Sequence, residues 1–350
     1  MNFNLLKELS ETPGVPSRED RLRAIVRREL EPIVDEVHVD AMGNAVFLRK
    51  GSGDGPKVMI AAHMDEIGFI VRHVDDKGFL KLQPLGGFDP RQLFAQRVLV
   101  HGHKGDVFRG VLTYNTRPAH TLTAEESKAA PTLEKFFVDL GMNGESVKNA
   151  IRIGDMVTMD RTAEKCGDCV IGKSLDNRVG VFVMIEAIKA LKSNGADVYA
   201  VATTQEEIGL RGAMTSAFAI APDIGIGLDT TLACDYPGMA DADTITKLGD
   251  GVGIKIMDSS MVSHPKLVEH FRCIAERENI KHQMEILPRG GTDGGALQRA
   301  GAGAVSITLS VPTRYIHTVN EMNHVDDIEA TIQLLATYLA EAHEGDYEQH

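Results

Sequence analysis

Two imidazoles, His63 and His317, and four carboxylates, Asp176, Asp229 and the adjacent pair Glu206-Glu207, are the residue types that bind divalent metal ions. Two such ions about 3.5–4 Å apart take imidazole and carboxylate ligands, with one carboxylate bridging. Asp176 suits the bridge, because it precedes the helix opened by Asn177-Arg178, where the backbone could aim both oxygens at a shared site. One glutamate of the pair must then stay off the metal, because a bridging water needs a base to take its proton and return it to a leaving amine. Singly, each residue has an ordinary reading: His63 as a satisfied polar residue, Glu206-Glu207 as a solvated helix N-terminus, Asp229 as a cap and His317 as a core histidine. The chemistry lies in the set.

These groups are far apart in sequence, so secondary structure has to assemble them. Val58-Met59-Ile60-Ala61-Ala62 is a short apolar run of the kind that fills a strand buried on both faces, and it ends at His63. Val198 to Ala202 ends likewise at Thr203-Thr204-Gln205-Glu206-Glu207, and Ile224 to Leu228 stops at Asp229. In open α/β sheets ligands gather beyond the carboxyl ends of the strands, where these three groups fall. Ser17-Arg18-Glu19-Asp20 reads as a helix start, followed by Leu22, Ile25, Val26 and Leu30 on one stripe. Residues 176–192, 266–278 and 326–342 are also helical in pattern, and 37–48 reads as two strands about Gly43-Asn44. The alternation predicts an α/β fold, a layered αβα catalytic domain with a mixed, largely parallel sheet. Residues 69–161 break that rhythm with short β-like pieces and turn signals at Asp76-Lys77-Gly78 and Gly86-Gly87. They read as an inserted β-rich domain, with the catalytic domain assembled from 1–68 and 162–350.

Composition narrows the function. A net charge of −13 argues against a nucleic-acid surface, and no apolar run approaches the roughly 18–20 residues of a membrane span. No basic region followed by an apolar stretch opens the chain, so the cytoplasm is the expected setting. Cys166-Gly167-Asp168-Cys169 lacks the second pair or histidine partners of a structural zinc site, and a C-x-x-C is a weak redox signal outside a thioredoxin-like context.

His63-x-Asp65-Glu66-Ile67-Gly68, Ser174-Leu175-Asp176-Asn177-Arg178-x-Gly180, Gln205-Glu206-Glu207-Ile208-Gly209-Leu210-Arg211-Gly212-Ala213, Asp229-Thr230, Gly290-Gly291-Thr292-Asp293-Gly294-Gly295 and Arg314-Tyr315-Ile316-His317-Thr318 together resemble the tetrahedral (TET) aminopeptidases, in order and spacing along nearly the whole chain. The resemblance implies an exopeptidase with two divalent metal ions per subunit, zinc or cobalt with manganese as an alternative. It also implies that the β-rich, barrel-like insert serves dimerisation and that dimers build a hollow tetrahedral dodecamer. Carried over, His63 and Asp229 hold one metal, Glu207 and His317 the other, and Asp176 bridges. Asp65 orients His63, Glu206 is the general base, and Gly291, Thr292 and Asp293 lie near a bound peptide. The resemblance assigns no role to the acidic tail after Tyr338 or to the Cys166-Cys169 pair.

Three other readings compete. A glycanase needs two carboxylates flanking a sugar bond, usually with aromatic platforms, and the chain has no Trp and 5% aromatics. A non-catalytic peptide-binding shell is opposed by the complete ligand set and Glu206. A dinuclear deacylase would use the same ligands, so substrates alone separate it. The preferred N-terminal residue is not written in the motifs; the net acidity leans towards neutral aliphatic residues.

Overall fold

The structure is a computed structural model that describes residues 1–117 and 119–347; the last three residues of the acidic tail lie outside them. The strands in chain order are β1 (Glu36–Val39), β2 (Ala45–Arg49), β3 (Lys57–His63), β4 (Gly68–Val74), β5 (Leu80–Leu85), β6 (Gln96–His101), β7 (Val107–Tyr114), β8 (Phe136–Asp139) and β9 (Met156–Met159). There follow β10 (Glu164–Cys166), β11 (Cys169–Gly172), β12 (Asp197–Thr203), β13 (Ile224–Leu232), β14 (Val252–Met257), β15 (His282–Ile286), β16 (Val305–Thr313) and β17 (Glu321–His324). The helices are α1 (Phe3–Glu11), α2 (Asp20–Leu30), α3 (Gly144–Ala150), α4 (Leu175–Ala190), α5 (Arg211–Ile220), α6 (Pro265–Arg277), α7 (Asp293–Gln298) and α8 (Val325–Glu341). Two compact units result, one from Met1–Glu66, Thr162–Ile316 and the chain from Asn320 on, the other from Ile67–Arg161 with His317–Val319.

The first unit is built on an eight-stranded mixed sheet in the order β1-β2-β12-β3-β13-β16-β14-β15. Its centre, β12, β3, β13 and β16, is parallel, which is why the apolar runs there are continuous rather than alternating. Alternate residues still face different layers. In β3, Val58, Ile60 and Ala62 join a large core that includes Leu22 of α2, Phe182 of α4, Phe271 of α6 and Leu335 of α8. Met59 and Ala61 face the opposite side, packing with Ala217 of α5 and Leu297 of α7. Helices on both faces make the αβα arrangement, and each fully buried Val, Ile or Leu contributes about 1.5–3 kcal/mol. Besides the sheet, β10, β11 and β17 form a small three-stranded ribbon.

Buried charge ties this unit together. Arg178 of α4 is fully buried and donates through Nη1 to the carbonyls of Leu9 at 2.6 Å and Thr12 at 2.8 Å, and through Nη2 to that of Gly14 at 3.2 Å. Glu66 accepts from Lys173 Nζ and Ser174 Oγ, each at 2.5 Å, and from the backbone N–H of Gly14 at 3.0 Å. Burial opposes the charge of Glu66, but Lys173 and Arg178 outweigh it and hold its pKa below the ordinary carboxylate range.

The second unit is a closed barrel in the order β4-β5-β8-β7-β6-β9, filled by Phe69, Val71, Leu80, Val98, Val100, Leu112, Val138 and Val157. Closure leaves no open sheet edge in this unit's main sheet. Among the described residues no helix is long and apolar enough to cross a membrane.

Two local expectations need correcting. The 17–20 motif does open a helix, but only at its last residue: Ser17 lies before it at φ +70°, α2 begins at Asp20, and the N-cap, Glu19, makes no side-chain cap bond because its carboxylate accepts the N–H groups of Ser17 and Gln205. Asp229 is not beyond its strand. β13 runs on to Leu232 because β16 pairs with it over its whole length, Asp229 lying opposite Ser310.

Candidate active site

Parallel register assembles the site. Thr203 at the end of β12 lies directly opposite His63 at the end of β3, so the residues that follow each strand emerge side by side. His63 is 2% exposed, and its Nδ1 lies 3.0 Å from the carbonyl oxygen of Asp65. A carbonyl only accepts, so Nδ1 carries the hydrogen and Nε2 is turned the other way. There it lies 3.4 Å from Asp176 Oδ1, 3.8 Å from Glu206 Oε2 and 3.8 Å from Asp229 Oδ1. An imidazole nitrogen facing three carboxylates needs a positive charge between them, either a proton or a metal ion.

The electrostatics of the protein groups alone express that need. Burial opposes charge on His63, yet Glu206, Asp176 and Asp65 together raise its pKa well above the ordinary value. Burial also raises Glu206 and Asp229 well above the carboxylate range, opposed by His63 and reinforced by the neighbouring acids. Asp293, at the start of α7, is pushed up to about 6 by burial, and its Oδ1 is buried with no hydrogen-bond partner among the described residues. The donor chemistry fits a cation: His63 with Asp176 and Asp229, and His63 with Glu206 and Glu207, each present ligand atoms within 4.8 Å of one another.

Asp65 does more than stand beside His63. Its carboxylate is 3.6 Å from Nδ1, and its two oxygens accept the backbone N–H groups of Glu206 and Glu207, both at 3.0 Å. The preceding amides are held in the same way: Thr204 donates to Asn44 Oδ1 at 2.9 Å and Gln205 to Glu19 Oε1 at 3.1 Å. Four consecutive N–H groups are thus fixed by side chains from distant parts of the chain. Gln205 sits at φ +56°, a conformation that costs a non-glycine residue about 1–3 kcal/mol and persists where the surroundings over-determine it.

The backbone of Asp176 is anchored from β17. Its N–H donates to Glu321 Oε2 at 2.9 Å, and the peptide bond to Asn177 is cis. Asn177 donates to the carbonyl of Leu228 at 2.7 Å, joining the start of α4 to the strand that carries Asp229. A Cβ on Gly180 would run into the Asn177 amide, so this close approach requires glycine. Of the loop expected near substrate, Gly291 is exposed, whereas Thr292 is buried and bonded to Asp258 at 3.0 Å and to Thr308 at 2.8 Å. Asp293 accepts from Thr203 Oγ1 at 2.5 Å. His317 falls in the short segment that groups with the barrel, at φ +64°. Glu19, Asn44, Thr203 and Glu321 were not singled out from sequence, because isolated polar residues that bond across the fold leave no local pattern.

A layered αβα sheet with imidazole and carboxylate groups converging at the ends of its parallel strands, carried in one chain with a closed barrel, defines an aminopeptidase class. The chain belongs to the M42 glutamyl aminopeptidase family, whose model matches residues 43–334. It is 38% identical over 335 residues to a putative aminopeptidase of Acetivibrio thermocellus, covering 95% of this chain and 97% of that one. It is 34% identical to the lysyl aminopeptidase of Pyrococcus furiosus, with 99% of both chains covered. The TET1 peptidase of Pyrococcus horikoshii, which can assemble into a tetrahedron or a large octahedral shell, superposes with a TM-score of 0.86 at 31% identity, over 97% of this chain and 99% of that one. The protein is therefore an aminopeptidase.

Proposed function

We propose that this aminopeptidase is a dinuclear metalloenzyme of the cytoplasm that releases N-terminal residues from short peptides. The supporting observation is the convergence of Asp176, Asp229 and Glu206 on Nε2 of His63, a buried arrangement that calls for a cation. In this reading His63 and Asp229 would hold one ion, Glu207 and His317 the other, and Asp176 would be shared between them. When bound, such ions, zinc or cobalt with manganese as an alternative, would supply Lewis-acid polarisation of the scissile carbonyl and a lowered pKa of the attacking water. Glu206 accepts the water proton on its carboxylate and delivers it to the departing nitrogen. Asp65 positions Glu206 and Glu207 through their amides and His63 through its own carbonyl. Asp293, with Gly291 and Thr292, flanks the substrate.

The barrel unit serves dimerisation in this reading, and the dimers assemble into a tetrahedral dodecamer, as the shell-forming P. horikoshii peptidase suggests. For side-chain preference we propose neutral aliphatic N-termini. The test is hydrolysis of a panel of aminoacyl-p-nitroanilides after chelation and after adding back Zn²⁺, Co²⁺ or Mn²⁺. The expected result is activity restored by metal on free N-termini and absent on N-acetylated ones. Full activity in the chelated protein, or activity confined to acylated substrates, would overturn the reading.

A further inference from the structure

The Cys166-Cys169 pair, which the aminopeptidase chemistry does not use, lies on the β10-β11-β17 ribbon. Gly167, at φ +61°, and Asp168 form the turn between β10 and β11, so the two cysteines are directly opposed partners at the mouth of the hairpin. Directly opposed residues of an antiparallel pair have Cα atoms about 4.5–5.5 Å apart and side chains on one face. A disulfide accepts Cα separations of about 4.4–6.8 Å, so the backbone is already placed for a bond. Both cysteines are free thiols; Cys166 is exposed and Cys169 half-buried. On its other side Cys169 pairs with His324 of β17, and a cavity of about 520 Å³ opens here, lined by Lys165, Gly167, Asp168, Cys169, His324 and Asp326 among others. That volume is in the range of small-molecule sites.

We infer that Cys166 and Cys169 form a reversible dithiol–disulfide site that exchanges with low-molecular-weight disulfides. Cys166, the exposed partner, attacks one sulfur of the incoming disulfide as the thiolate; that S–S bond breaks, one small thiolate leaves, and a mixed disulfide remains on Cys166. The Cys169 thiolate then attacks the Cys166 sulfur and the second small thiolate departs. Two electrons pass from the protein dithiol to the small disulfide, and the two protein thiol protons end on the released thiols or solvent. Burial raises the pKa of the Cys169 thiol, which suits it to the second, intramolecular step rather than to the first encounter.

The test uses the full chain carrying C273S, which removes the other exposed thiol, and glutathione disulfide as the probe. Trypsin, cutting after Lys165 and after Lys173, releases residues 166–173 as one peptide containing both cysteines. The expected product is that peptide lighter by two hydrogen atoms, restored by dithiothreitol. With C169S added, the glutathione adduct should accumulate on Cys166; with C166S added, modification of Cys169 should be slower. Circular dichroism is the check that both variants fold. A C273S protein that collects stable glutathione adducts at the same level as the C169S version, or whose 166–173 peptide stays reduced throughout, would overturn the inference.

Discussion

Asp65 holds Glu206 by its backbone: one carboxylate oxygen accepts the Glu206 N–H at 3.0 Å while the other accepts that of Glu207 at the same distance. The family resemblance implies only that Asp65 orients His63, yet its carboxylate closes on the turn from β12. An error in that turn displaces a proposed ligand and the proposed base at once.

Asp65→Asn keeps one acceptor and sets an amide N–H₂ against a backbone donor, a loss of about 1–3 kcal/mol at a buried site. We expect kcat to fall about 10–100-fold with KM nearly unchanged. A raised KM with intact kcat would place Asp65 on the substrate instead.

Glu206→Gln keeps the size of the side chain and removes its capacity to take a proton. Turnover should fall by about 10²–10⁴-fold while metal content, measured by atomic emission, stays at the parent level. Near-parental turnover would remove Glu206 from the role of base.

Glu19 is 3% exposed, and burial and the charge of Asp65 push its pKa up to about 7. The folded pKa lies above the unfolded value, so its contribution to stability is complete below about pH 4.5 and is lost as pH rises through about 7. Glu19→Gln can keep the Oε1 acceptor that serves Ser17 and Gln205. The variant should therefore gain stability relative to the parent at pH 8, by about 1–3 kcal/mol, and show no such gain at pH 4. Denaturant melts at the two pH values decide it; an equal difference at both would show that Glu19 does not titrate in this range.

Glu66→Ala leaves the ammonium of Lys173 buried without its partner and removes an acceptor from Gly14. A loss of about 3–5 kcal/mol in urea unfolding is expected. A loss below about 1 kcal/mol, within the range of a surface pair, would show that water replaces the carboxylate.

Removal of metal should also be visible without substrate. Asp176, Asp229 and Glu206 crowd Nε2 of His63, so a bound cation stabilises the fold by about 2.7 kcal/mol at a hundredfold excess over Kd. Calorimetry of chelated and reloaded protein reads this as a rise in Tm. The rise should shrink in Asp229→Asn, and an undiminished rise would locate the ion elsewhere.

The runs that end at His63 and Thr203 were legible because a parallel interior strand is apolar throughout, and strand ends are where such sheets place their chemistry. The αβα layering followed from the same runs and the helices between them. Asp229 is expected just past its strand and lies inside it, because a pairing partner's length is not encoded locally. Glu19 and Asn44 were invisible as supports: each looks like an ordinary helix-start or turn residue, and its function depends on an amide more than 150 residues away. Glu19 leaves its own helix uncapped for the same reason, since a carboxylate drawn into a tertiary bond cannot serve the turn it precedes.

Strand order bears on how the chain is made. β2 and β3 are neighbours in sequence but not in the sheet, where β12 lies between them. The carbonyls of Leu9, Thr12 and Gly14 likewise await a guanidinium that arrives with α4. On the ribosome, the first strands therefore emerge with both partners of β3 still unmade, while every strand of the barrel is synthesised in the interval. The barrel can close early, whereas the open edge of β2 waits for Asp197–Thr203 and the second edge of β3 waits for Ile224–Leu232 to leave the exit tunnel, which makes that interval the window in which a nascent-chain chaperone would matter most.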